Sequence, residues 1–276
     1  MILQVIIQTL ILPVALSVVS VCIFKKLSII VTVSQPKTPF SIHGLPALLM
    51  ISWLLNSCWV LGMPALIPIQ ASDWFLWVVL ASTLLCLSTK EQSGQRVLAI
   101  IFVLAVIAKT WTVISYNAGF SSHTFIWLEI LVFIVLGIFL LQQSASNILN
   151  KVDNSIYALI VTFIGGTAAL SGSLTIALLG FSLASIVFTA TLYQSKALHF
   201  SVNKFIVMLT LLLLLHVRQY AEADLFSVTA LFASLILLFQ RQFTARLRYM
   251  LIALSLMLVA SNLIFSYWST VTQPYY

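Results

Sequence analysis

Charge is what this sequence has least of. Only 7% of its 276 residues are Asp, Glu, Lys or Arg, against the roughly 25% of a soluble domain. That scarcity excludes a soluble fold, because 62% hydrophobic content cannot be hidden behind so few charges. Acids are rarest, at six, and no HExxH, GxSxG, P-loop or paired-aspartate pattern is present. No catalytic residue is therefore identified, and the balance leans away from an enzyme. A membrane-embedded one would need a nucleophile and base from separate helices. The three cysteines, Cys22, Cys58 and Cys86, are odd in number and lack CxxC spacing, so they read as small buried hydrophobes. Four histidines, His43, His123, His199 and His216, show no metal-ligand spacing, and neither a metal nor another cofactor is expected. Long polar connectors are missing too, which leaves no room for a nucleotide-binding module.

What is present is a series of continuous apolar runs. A transmembrane barrel would need alternating segments of about ten residues, so the expectation is an all-α polytopic membrane bundle of about ten helices in a single transmembrane domain. The expected spans are 2–24, 45–67, 73–89, 97–116, 124–141, 155–170, 173–193, 202–217, 224–240 and 248–269. The apolar stretch 155–193 must divide, since one helix of that length would run ~58 Å, about twice the hydrocarbon thickness. Ser171-Gly172-Ser173 is the natural break. Pro13 is expected to kink the first helix.

The net charge of +7 is scattered through short connectors, which points to anionic lipid headgroups and not to nucleic acid. In a ten-pass chain the odd-numbered connectors hold eleven of the thirteen basic residues. Arg218 lies in an even-numbered connector and Lys109 lies within a span. By the positive-inside rule this partition places both termini on the outer, non-cytoplasmic face. Trp74, Trp77, Trp111, Tyr116, Trp127, Tyr220, Tyr267 and Trp268 then fall at outer ends as an interfacial belt. The expected location is a bacterial plasma membrane.

Two intramembrane charges stand out. Lys109 and Glu129 sit on adjacent spans, each roughly ten residues, or about 15 Å, from the centre of the loop 117–123 near Gly119 and Phe120. A lone Lys near a bilayer centre costs ~2.5–3.5 kcal/mol, so such a charge calls for a partner or a watery cavity. The pair reads as a substrate or ion site, or as a static tie between helices. Asn56 and Asn262, near mid-span, either line the same cavity or hydrogen-bond across a helix interface. Glu222 and Asp224 read as a solvated cluster paired locally with Arg218. Gly165, Ala169, Gly172 and Gly180 form a small-residue seam suited to close helix packing, to an oligomer contact or to sliding. Two functions follow as expectations. One is a secondary transporter or carrier of a small solute or ion. The other is a non-catalytic integral subunit or assembly factor, with other membrane subunits or a second copy as partner.

Overall fold

The computed structural model describes residues 5–34, 40–63, 76–81, 84, 97–107, 110, 120–147, 149–193, 202 and 204–272. All its secondary structure among these residues is helical. A π-helical stretch, Ile7–Ile11, leads into α1 (Leu12–Ser34), and α2 is Phe40–Leu61. A short helical piece at 76–81 precedes α3 (Val97–Ile107). Then come α4 (Phe120–Ser146), α5 (Lys151–Leu170), α6 (Leu174–Leu192), α7 (Lys204–Tyr220), α8 (Leu225–Phe239) and α9 (Ala245–Thr272). Among the described residues, five helices contain stretches long and apolar enough to cross a membrane: Ile7–Phe24, Ile126–Ser144, Lys151–Leu170, Leu174–Leu192 and Ala245–Phe265.

The centre is α7. All fourteen residues from Lys204 to Val217 are buried, and α4, α5, α6 and α8 pack around it. A helix apolar on every side belongs in such a position. Its Thr210 costs little there, because the hydroxyl hydrogen-bonds Tyr157 of α5 and bonds back to the Ile206 carbonyl. Among the described residues the α5–α6 hairpin is the most extensive helix pairing. Its turn falls at Ser171–Ser173, where the sequence predicts it, and Gly172 takes a φ of +89° that favours glycine. Above the turn Gly165 and Gly180 meet backbone to backbone. A Cβ on Gly180 would come within 2.8 Å of the Gly165 Cα.

Loop connections and side-chain bonds give each helix a direction. The loops 147–150 and 240–244 join helices at one end of the bundle, here the basic end, where Lys151, Arg241, Arg246 and Arg248 gather. The loops 171–173 and 221–224 lie at the opposite, aromatic end. Trp127, Tyr220, Tyr267 and Trp268 are exposed on that half of their helices, as an interfacial belt requires.

The first helix departs from expectation in length and direction. Helix α1 continues through Lys25 and Lys26 to Ser34, because apolar Leu27, Ile29, Ile30, Val31 and Val33 follow them. The expected inner connector of twenty residues is thus largely helix. Proline explains a tertiary contact near its start. Pro13 has no N–H, so the Thr9 carbonyl loses its helical donor, and Ser185 of α6 supplies one at 2.9 Å. Further along, Ser52 of α2 bonds Ser20 at 2.7 Å and also reaches the Leu16 carbonyl, while Trp53 Nε1 donates to Leu179 O of α6. Thr9 therefore lies level with Ser185, and Leu16–Ser20 lies near the level of Leu179. This sets α1 antiparallel to α6, with its N-terminal end at the basic end. The C-terminal end of α9 is at the aromatic end.

Candidate functional site

The described charges concentrate in two places, one at each end of the bundle. At the basic end the organising residue is Asp153. Asn150, Lys151, Val152 and Asp153 form a capping box: Asp153 N–H donates to Asn150 Oδ1 at 2.8 Å, and the Asp153 carboxylate accepts from Asn150 N–H. This satisfies two of the orphan donors at the start of α5. The same carboxylate is fully buried and accepts from Arg248 Nη2 at 2.7 Å and Tyr249 Oη at 2.8 Å, both on α9. Arg241, on the α8–α9 loop, stands 3.9 Å away. Arg248 also lies over the Tyr249 ring, 5.0 Å from its centroid. Beside this cluster Asn147 Nδ2 donates to Phe239 O, and Val202 N–H donates to Asn154 Oδ1. The ends of α4, α5, α7, α8 and α9 are thereby tied together. Nothing in sequence spacing announces the Asp153–Arg248 pair. The Asn-x-x-Asp pattern is a local signal for the cap, which the expected span 155–170 passes over, but nothing local signals that the capping Asp also serves as an ion-pair partner.

At the aromatic end Glu129 of α4 meets Arg218 of α7. Arg218 Nε donates to Oε1 at 2.6 Å and Nη2 to Oε2 at 3.3 Å, a two-point contact of the kind guanidinium and carboxylate favour. Arg218 Nη1 also donates to Ala223 O at 2.9 Å, which clamps the tight α7–α8 loop where Glu222 adopts φ +53°. The expected local pairing of Arg218 with Glu222 and Asp224 is corrected by this geometry. Asp224 instead caps α8 by accepting from Ser227 N–H. Next to Arg218, Gln219 Nε2 donates to Thr110 Oγ1 at 3.0 Å, while its Oε1 is buried without a partner.

Lys109, the residue expected to face Glu129, lies outside the described residues. The carboxylate expected to meet it is engaged by Arg218. Asn56 is fully buried in α2, and neither of its amide atoms has a hydrogen-bond partner among the described residues. Asn262 donates to Ser227 Oγ at 3.0 Å, an α9–α8 contact. The four residues of the small-residue seam have separate fates. Gly165 and Gly180 face each other, Gly172 forms the turn, and Ala169 is exposed. His216 is buried, with Nδ1 3.2 Å from Leu212 O and its ring against Tyr220.

Each arginine–carboxylate pair joins helices distant in sequence, and each presents fixed charge rather than a free nucleophile or base. Among the described residues no group of His, Cys, Asp and Glu is arranged to hold a metal ion. No known protein family, curated protein or solved structure matches the chain.

Proposed function

We propose that the chain is a polytopic integral membrane protein that serves as a non-catalytic subunit or assembly element of a larger membrane complex. The observation that carries this reading is the packed centre: α7 is buried along fourteen successive residues, where a carrier would need a path. The outer helices supply lateral surface. Only 28% of the Ile126–Ser144 and Ala245–Phe265 spans is buried, which leaves broad apolar faces for another subunit, a second copy or lipid. A carrier of a small solute or ion is the second reading. Asn56 favours it, because an unpaired amide in an apolar interior is costly and marks sites that something else completes.

Within this proposal the membrane is a bacterial plasma membrane, since outer membranes hold barrels and not apolar helices. The basic end faces the cytoplasm, following the positive-inside rule. The proposed map starts the described chain on the cytoplasmic side and gives an even number of passes between Leu61 and Val97. Ten passes with both ends outside would need α1 reversed.

Purification from native membranes in mild detergent tests the function. A stoichiometric partner supports the subunit reading. A chain that travels alone and gives Glu129- or Lys109-dependent uptake in liposomes supports the carrier. In the same preparation, a single cysteine at Met63, exposed at the end of α2, reads the topology. The proposed map expects it to resist an impermeant thiol reagent added outside intact cells, and labelling from outside would restore the ten-pass map.

A further inference from the structure

A groove of about 620 Å³ opens between the start of α1, the first half of α5 and the second half of α6. Leu10, Val14, Ala158, Leu159, Phe181 and Phe188 supply most of its apolar wall. We propose that it binds one acyl chain of an anionic phospholipid, with the headgroup held by Lys151.

Three observations lead there. First, all three walls belong to helices apolar enough to span a bilayer, so the groove opens toward hydrocarbon. Its volume lies within the roughly 300–1,000 Å³ typical of ligand pockets. Second, four of the five hydroxyls that line it, all but that of Thr189, have spent their protons on main-chain carbonyls. Thr9 donates to Val5 O, Ser155 to Lys151 O, Thr162 to Ala158 O and Ser185 to Thr9 O. A polar solute would find few donors, whereas a hydrocarbon chain needs none. Third, Lys151 is exposed and stands one helical turn before Ser155 on the same face of α5. Asp153, two residues on, is already held by Arg248, which leaves the Lys151 ammonium to an external anion. From Lys151 to Thr162 the helix rises about 16 Å, close to half of the ~30 Å hydrocarbon core. Lys151 and the groove below it thus span about one leaflet, with the cation at headgroup level and the far end of the groove near the midplane.

The binding of lipid depends on membrane insertion and on no choice between subunit and carrier. The test is add-back to delipidated, detergent-solubilised protein, comparing phosphatidylglycerol with phosphatidylcholine and reading the unfolding midpoint. Mass spectrometry of lipid retained on purification gives the second readout. Phosphatidylglycerol should raise the wild-type midpoint more than phosphatidylcholine. Lys151→Glu should erase that difference and lower retained phosphatidylglycerol several-fold. Ala158→Leu fills the groove from within; should it fold poorly, Leu159→Trp blocks it from its exposed side. Either filled variant should lose the response to phosphatidylglycerol. An unchanged response in the filled variants or in Lys151→Glu overturns the proposal. So does capture of a partner helix that Leu159→Trp releases while lipid retention stays constant.

Discussion

Asp153 and Glu129 each meet an arginine from a helix far along the chain, but at opposite ends of the bundle and in different surroundings. The Asp153–Arg248 pair is sealed, with side chains 0% and 4% exposed, whereas Glu129 and Arg218 are 25% and 27% exposed. Burial removes the alternative of hydration. A sealed charge that loses its partner has nothing to turn to, and Arg248 already has a buried Nε with no acceptor among the described residues. A quarter-open arginine near a helix end can extend its guanidinium toward the headgroups. The two pairs look alike as chemical drawings, yet the first acts as a lock and the second as a tether.

The sharpest way to break the comparison is to neutralise one acid at a time. Asp153→Asn keeps the shape of the cap but leaves Arg248 charged and enclosed. Loss of one partner of a buried pair typically costs about 3–5 kcal/mol, and this is the largest effect expected in the molecule. Chemical unfolding in detergent measures it. Replacing Asp153 and Arg248 together by apolar residues of similar size should recover part of the loss, because no orphan charge remains. A double variant as unstable as the single one would show that the enclosed, unpaired Arg248 is not the source of the loss.

A second change separates both ionic ends from the packed middle. Gly180→Ala adds a Cβ 2.8 Å from the Gly165 Cα and 3.0 Å from its nitrogen. These are backbone atoms, so α5 and α6 must move apart. Overpacking of this kind typically costs about 1–3 kcal/mol. Gly166→Ala is the control, since its Cβ would meet nothing within 4 Å. The cost should appear in the first variant and not in the second, by the same unfolding measurement.

How far these sites were legible in the sequence depends on the range of the interaction. The helical class followed from apolar run length, and the 171–173 turn from the impossibility of one helix twice the bilayer's thickness. Asn150-x-x-Asp153 is a local pattern that signals a cap, though the expected span 155–170 leaves it out. The lysines at 25 and 26 misled, because a long amphipathic side chain can ride on a continuing helix without ending it. Arg218 misled for a related reason. Glu222 and Asp224 are close to it in sequence, but Asp224 caps α8 and Glu129, eighty-nine residues distant, takes the guanidinium. Helix neighbours are set by packing around α7, and connector lengths do not encode which ends meet.

The smallest predicted effect tests the tether. Glu129→Gln removes a charge from a pair that water or headgroups partly reach, and exposed pairs typically contribute about 0.2–1 kcal/mol. The loss should be about 1 kcal/mol or less, well below that of Asp153→Asn. Its origin can be assigned with two double-variant cycles, Glu129→Gln with Arg218→Gln and Glu129→Gln with Lys109→Met. Coupling energy between contacting residues appears as non-additivity, while independent sites add within about 0.3–0.5 kcal/mol. The two-point contact from Arg218 predicts non-additivity in the first cycle. In the second, additive losses leave Glu129 to Arg218 alone, whereas coupling as large as the first would make Lys109 a third member of the cluster and strengthen the carrier reading.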